Sequence, residues 1–185
     1  IDSSSYTTAS ITDDQIVVTA TVPSAFAFAL SGNTDALGTL TTGAVSSSPT
    51  PRTVTVNTNA KNGWTVWAKD INNGLASATA AATIPSLTYN AGAPTTVVAG
   101  TAGYNTGITS TQVGGTGVVS VDAGFNGTTL NQGGGLSTTL RALAISNGPA
   151  DTAVLTIKNN IAINATTAAA SDYTDTITVI GAGLF

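Results

Sequence analysis

Thr53-Val-Thr-Val-Asn-Thr-Asn-Ala-Lys-Asn-Gly-Trp-Thr-Val-Trp-Ala-Lys69 is the stretch on which the reading of this chain turns. Threonine and valine alternate from Thr53 to Thr58, giving one hydroxyl face and one apolar face. A period of two belongs to a half-buried β-strand rather than to a helix. The second run sets Trp64 and Val66 on one side, and Thr65, Trp67 and Lys69 on the other. Between the runs stands Asn62-Gly63, a pair that supplies the positive φ angles of a tight hairpin turn. The expectation is a β-hairpin over residues 53–69, with Trp64 in the core and Trp67 outside.

Working outward, the same period recurs. Ile16, Val18, Ala20 and Val22 alternate with Val17, Thr19 and Thr21, and Phe26, Phe28 and Leu30 alternate with Ala25, Ala27 and Ala29. Pro23 lies between these runs; lacking an N–H, it marks an edge, a bulge or a change of sheet. Further strands are expected at residues 95–99, 117–125, 138–146, 152–158 and 173–180, separated by clusters of Gly, Asn and Thr. Residues 75–82 are alanine-rich without a clear apolar stripe, and residues 139–145 carry Leu140, Leu143 and Ala144 at helical offsets, so a helix stays open as the alternative in both. Turn signals at this spacing fit a sandwich or a barrel. The expected fold is all-β: a single antiparallel β-sandwich, jelly-roll or immunoglobulin-like, over residues 15–185. An extended arm over residues 1–14 precedes it.

Composition narrows the function. The chain has 185 residues, enough for one sizeable core, and 42% of them are hydrophobic. Only 8% are charged, against about a quarter in ordinary globular proteins. Disordered chains are poor in β-branched residues, and this one is rich in Thr and Val. No apolar run approaches the ~18 residues of a membrane span. Five Lys and Arg are scattered along the chain and the net charge is −4, so no basic patch exists to displace counterions from nucleic acid. There is no Cys, His or Met, and all nine acidic residues are Asp. The common nucleophile–base pairs need His or Cys, as do the usual zinc and copper sites. A non-enzyme is expected, with no catalytic residue, no cofactor and no metal site. The first residue is Ile1 rather than Met, which leads to the expectation of a removed secretory leader and an extracellular or cell-surface location.

Several residues are candidates for chemistry. Asp13-Asp14 and the pair Asp172 and Asp175 are the nearest approaches to an acid/base dyad; solvated turns are the simpler account of both. Asp35, Asp70, Asp122 and Asp151 are hard oxygen donors of the kind calcium takes, but no known loop spacing joins them. An exposed Trp67 suits stacking on a glycan, packing against a neighbouring subunit, or packing under a loop of its own domain. Lys158 precedes Asn159 and Asn160, a juxtaposition used in Lys–Asn isopeptide cross-links. Asn126-Gly-Thr128 and Asn164-Ala-Thr166 match the N-glycosylation sequon.

A family resemblance is carried by four segments: Val17-Val-Thr-Ala-Thr-Val-Pro-Ser-Ala-Phe-Ala-Phe-Ala-Leu30, Asp35-Ala-Leu-Gly-Thr-Leu40, Asn62-Gly-Trp-Thr-Val-Trp-Ala-Lys-Asp70 and Tyr173-Thr-Asp-Thr-Ile-Thr-Val179. The chain resembles secreted prokaryotic fibre-forming β-sandwiches. Its close is similar to the last strand of spore coat protein U-like pilins and to WxL surface domains. Its start resembles camelysin-like biofilm fibres and archaeal bundling pili. The resemblance implies a filament subunit in which a strand of one copy completes the sheet of the next, with copies of itself as the partner. Ile1, Tyr6, Ala9 and Ile11, in the segment ahead of the first strand, are the expected donor residues. A frayed terminus and a C-terminal donor are the competing accounts. The alternative function is a monomeric adhesin or carbohydrate-binding module that meets glycans or neighbouring cells through Trp67.

Overall fold

The computed structural model describes residues 1–9 and 15–185. Its strands are β1 (Phe26–Leu30), β2 (Ser46–Ser47), β3 (Arg52–Thr58), β4 (Trp64–Lys69), β5 (Gly74–Ser77), β6 (Ala82–Pro85), β7 (Thr95–Thr96), β8 (Gly103–Gly114), β9 (Val119–Val121), β10 (Gln132–Gly133), β11 (Arg141–Ser146), β12 (Ala150–Ala162) and β13 (Thr178–Gly183). One short 3-10 turn, Ala123–Phe125, is the single helical element among the described residues. No helix there is long and apolar enough to cross a membrane.

Two antiparallel sheets face each other. In the first, β1 pairs with β3 and β3 with β12, while β12 also carries β8 along its whole length and β2 near its end. The second runs β13-β4-β11-β9. Two small ribbons, β5-β6 and β7-β10, sit outside them. Alternation produces the core between the sheets. Val54 and Val56 of β3, Trp64, Val66 and Ala68 of β4, and Leu155 of β12 are all buried in one cluster. The all-β sandwich expected from the sequence is the fold.

The hairpin expected over residues 53–69 is not formed. β3 and β4 are both strands, but they belong to opposite sheets. Their apolar faces meet across the sandwich instead of lying side by side, so Val54 and Val56 look toward Trp64 and Val66. The link between them is an arch pinned by bonds from Asn62 N–H to the Leu184 carbonyl (3.0 Å) and from Gly63 N–H to the Ala60 carbonyl (3.1 Å). Gly63 takes φ +88° and Asn62 keeps a negative φ, whereas a I′ turn needs both positive. The helical alternatives also fall away: residues 75–82 hold β5 and a turn, and residues 139–145 lead into β11. The long strand β8 is not among the strands expected from the sequence; its residues, GYNTGITSTQVG, are poor in apolar side chains.

Residues 16–22, read as a strand from their alternation, carry no strand in the structure. Residues 1–9 and 15–25 are exposed throughout, and the first paired residue is Phe26.

Candidate functional site

The two ends of β1 differ. At its start, Phe26 and Phe28 turn inward onto β13, where Gly181 and Gly183 leave room for the rings. A Cβ on Gly181 would lie 2.4 Å from the Phe28 ring, and one on Gly183 would lie 3.0 Å from the Phe26 ring. Small residues on one sheet and aromatic ones on the other therefore shut the seam at this pole. The chain enters here through a clamp. The Ala25 N–H donates to Asn59 Oδ1 (2.8 Å), Asn59 Nδ2 donates to the Pro23 carbonyl (2.8 Å), and Thr58 Oγ1 donates to the Ala25 carbonyl (2.8 Å). Upstream of that clamp nothing covers the arm: Ile16, Val17, Val18 and Val22 are 91%, 83%, 88% and 81% exposed.

At the other end of β1 the seam is open. A groove of about 870 Å³ begins at Leu30 and runs between the loop after β1 and the segment leading into β13. Leu37, Leu40, Leu75 and Ile163 form its apolar wall, packed on a small cluster of Ile84, Tyr104 and Ile161 that is separate from the main core. The wall residues are only partly buried. Among the described residues β1 pairs only with β3 and β13 only with β4, so each has an edge there without a strand partner.

The groove is not wholly apolar. Asp35 Oδ2 accepts from Ser48 Oγ and from Asn159 Nδ2 (2.8 Å). Asn159 Oδ1 in turn accepts from the Tyr104 hydroxyl (3.1 Å) and Thr106 Oγ1 (2.8 Å). Burial, and then the Asp175 carboxylate, raise the pKa of Tyr104. Asp175 Oδ1 accepts from the Thr176 N–H (2.8 Å), and its pKa is raised by burial first and by Asp70 second. Asp35 Oδ1 and Asp175 Oδ2 are both buried and accept no hydrogen bond within the chain. Both residues line the groove. Uncompensated acceptors of this kind cost about 1–3 kcal/mol each until a donor arrives.

The residues singled out in the sequence are dispersed. Ile1, Tyr6 and Ala9 are exposed and lie in no strand; Ile11, with Asp13 and Asp14, lies outside the described residues. Trp64 is buried, and Trp67 is half-buried on the outer face of the second sheet, between Ala142 of β11 and Ile180 of β13. Asp172 and Asp175 do not act as a pair. Asp172 instead accepts from Ser77 Oγ and from the N–H and hydroxyl of Thr79 (both 2.9 Å), tying the end of β5 to the segment before β13. Those bonds, the Ser77 hydroxyl first, hold its pKa down to about 2. Asp70 is buried and accepts from the Asn73 N–H (3.1 Å) and Ser86 Oγ (3.3 Å). Among the described residues no three acidic side chains gather at metal-binding range. Asn126 and Asn164 serve turns, each Oδ1 accepting from the N–H and hydroxyl of the Thr two residues on.

Sequence reasoning missed the groove. Leu37 and Leu40 share one loop, while Leu75 and Ile163 come from two distant segments, and none of the three shows a strand period in the sequence. Their one shared signal is apolar residues left standing in loop-like surroundings. No family model matches this chain, and searches of characterised proteins and of solved structures return no match.

Proposed function

We propose that this chain is a structural subunit of an extracellular filament, assembled head to tail by donor-strand complementation, with no catalytic role. One observation carries the reading: an unpaired apolar arm leaves one pole of the sandwich, and an uncovered apolar groove with free strand edges opens at the opposite pole. A free edge is a template for a further strand, and an added strand gains main-chain hydrogen bonds together with pockets for alternate side chains. Because donor and acceptor lie at opposite poles, the contact is heterologous. Repeating it without closure gives a fibre.

The energetics favour the exchange. Burying an exposed Ile or Val side chain stabilises by about 1.5–3 kcal/mol, and the described arm exposes five such residues, Ile1, Ile16, Val17, Val18 and Val22. The test is electron microscopy and sedimentation of the full chain over a wide concentration range. Fibres and concentration-dependent large species are expected. A monomer at every concentration would overturn the reading.

A second reading rests on Trp67. It stands half-exposed on the outer sheet face where Ile145 and Ile180 are also exposed, which suits stacking on a sugar. Glycan-array binding by the monomer, lost in Trp67→Ala, would favour this surface over the groove.

A further inference from the structure

We infer that the groove is filled by residues 15–22 of a second copy, with Ile16, Val18, Ala20 and Val22 facing its apolar wall. This rests on the filament reading and moves the donor away from residues 1–12, where Ile1, Tyr6, Ala9 and Ile11 were the expected contacts.

Four observations converge on this segment. First, residues 16–22 read Ile-Val-Val-Thr-Ala-Thr-Val, and all but Ala20 are β-branched. Such residues fit a pleated, half-buried strand. Yet these residues lie in no strand and pair with no other described residue. Residues 1–9, by contrast, read Ile-Asp-Ser-Ser-Ser-Tyr-Thr-Thr-Ala, with a carboxylate and three serines that an apolar groove would have to desolvate.

Second, the exit of the arm is fixed. The bonds of Asn59 to Pro23 and Ala25, with Asn59 N–H donating to the Ala25 carbonyl (3.3 Å), carry the chain past the end of β3. That is the pole of the arch and of Leu184, whereas the groove starts beyond Leu30. To fill its own groove the arm would have to reverse at the clamp and run back over β1. A second copy stacked pole to pole meets no such obstacle.

Third, length is adequate. Eight residues in extended form span about 27 Å, and the five residues of β1 about 17 Å. The segment is therefore longer than the strand whose end opens the groove.

Fourth, the polarity matches. From Gln15 to Ala25 the arm has no charged side chain, while the groove holds the unpartnered oxygens of Asp35 and Asp175. An uncharged entering strand brings main-chain N–H donors to this pole without burying a second charge.

The experiment compares the full chain, a chain lacking residues 1–14, the variant Val18→Asp, and a synthetic peptide of residues 15–22 added to a chain lacking residues 1–22. That last truncation keeps the Pro23–Ala25 clamp, the described residues it removes are all exposed, and circular dichroism checks that it retains β structure. The expected results are polymers from the first two chains, a folded monomer from Val18→Asp with at least a tenfold loss of sedimentable material, and saturable peptide binding. A complementary pair, Val18→Cys with Ile177→Cys in a chain that has no other cysteine, should give a disulfide-linked ladder of copies. If the chain lacking residues 1–14 fails to polymerise while Val18→Asp polymerises, the donor lies in residues 1–14. Segment 15–22 is then wrong and the filament stands. If the peptide binds and the full chain is monomeric at every concentration, the arm folds into its own groove and the second copy is wrong. If the full chain is monomeric and the peptide does not bind, both the segment and the filament fall.

Discussion

The two poles of this sandwich are built from the same kinds of residue and behave as opposites. At the arch pole, Phe26 and Phe28 drop onto Gly181 and Gly183, and Gly63 presses against the neighbouring turn. At the groove pole, Leu37 and Leu40 rest on the small Ile84–Tyr104–Ile161 cluster but stay only partly buried, beside a Gly38 with nothing within 4 Å of its Cβ position. The lesson is that closure here depends on pairing bulky with small side chains across the sheets, not on hydrophobic content. One substitution at each pole separates the cases. In Gly63→Ala the new methyl would sit 1.8 Å from the Ser146 carbonyl oxygen, at φ +88°, so a loss of more than about 4 kcal/mol is expected, reserved for the severest clashes. Gly38 has φ +74° but nothing within 4 Å; Gly38→Ala should cost only the left-handed backbone strain, about 1–2 kcal/mol. Urea denaturation of both variants checks the contrast. Equal losses would mean that the groove pole is as tightly packed as the other.

A smaller effect sharpens the same contrast along a single strand. Phe28→Ala removes a half-buried ring from the closed seam and should destabilise by about 2 kcal/mol, below the 3–5 kcal/mol of a fully buried Phe. Leu30→Ala, two residues on, trims a side chain that is 44% exposed at the mouth of the groove. It should change the stability of the monomer by less than about 1 kcal/mol while weakening polymer formation. Thermal melts of dilute monomer and sedimentation of concentrated samples read the two effects separately. A large loss of monomer stability in Leu30→Ala would show that Leu30 belongs to the core.

Where sequence reasoning succeeded and failed follows the same division. Val54, Val56, Trp64 and Val66 announced both their strands and their buried faces, because alternation is local and each strand sits between one core and one surface. The partners of those strands were not legible: Asn62-Gly63 looks identical in a hairpin and in an arch between sheets, and only the packing of Val54 and Val56 over Trp64 decides. β8 hid because Gly, Asn and Thr fill it; it is held by its long pairing with β12 rather than by its own propensity. The groove could not be read at all, since its walls come from segments far apart in the chain, one a loop, one the short strand β5 and one the stretch after β12. Residues 16–22 are the most instructive. Their strand propensity was plain, and what the sequence lacked was any sign that no partner exists within the chain.

The carboxylates of the groove pole should leave a pH signature that the closed pole lacks. The pKa of Asp175 is raised in the folded protein by burial and by Asp70. Its contribution to stability is therefore greatest below the unfolded value of about 3.9, and is lost as pH rises through the higher folded value. In Asp175→Asn the side-chain oxygen that accepts from Thr176 can stay, and the charge is gone. The variant should melt slightly above the parent near pH 7, and the gap should close toward pH 4. Melting curves across that range decide; a variant less stable than the parent at pH 7 would mean that Asp175 is held by a favourable partner.

The smallest effect is expected at Asp172, which runs the opposite way in pH. Its carboxylate accepts from Ser77 and Thr79 at the surface, and its pKa is lowered to about 2. The stability it supplies is complete above the unfolded value of about 3.9 and disappears as pH falls toward 2. Asp172→Asn should leave the global melt almost unchanged and loosen only the turn after β5. Hydrogen exchange reads this directly: the Thr79 amide should exchange faster in the variant at pH 5, and equally fast in parent and variant near pH 2. An unchanged Thr79 rate at pH 5 would show that the turn holds itself, and that Asp172 merely rests on it. The distinction bears on the groove, because the same carboxylate ties β5, whose Leu75 lines one wall, to the segment that carries the opposite wall into β13.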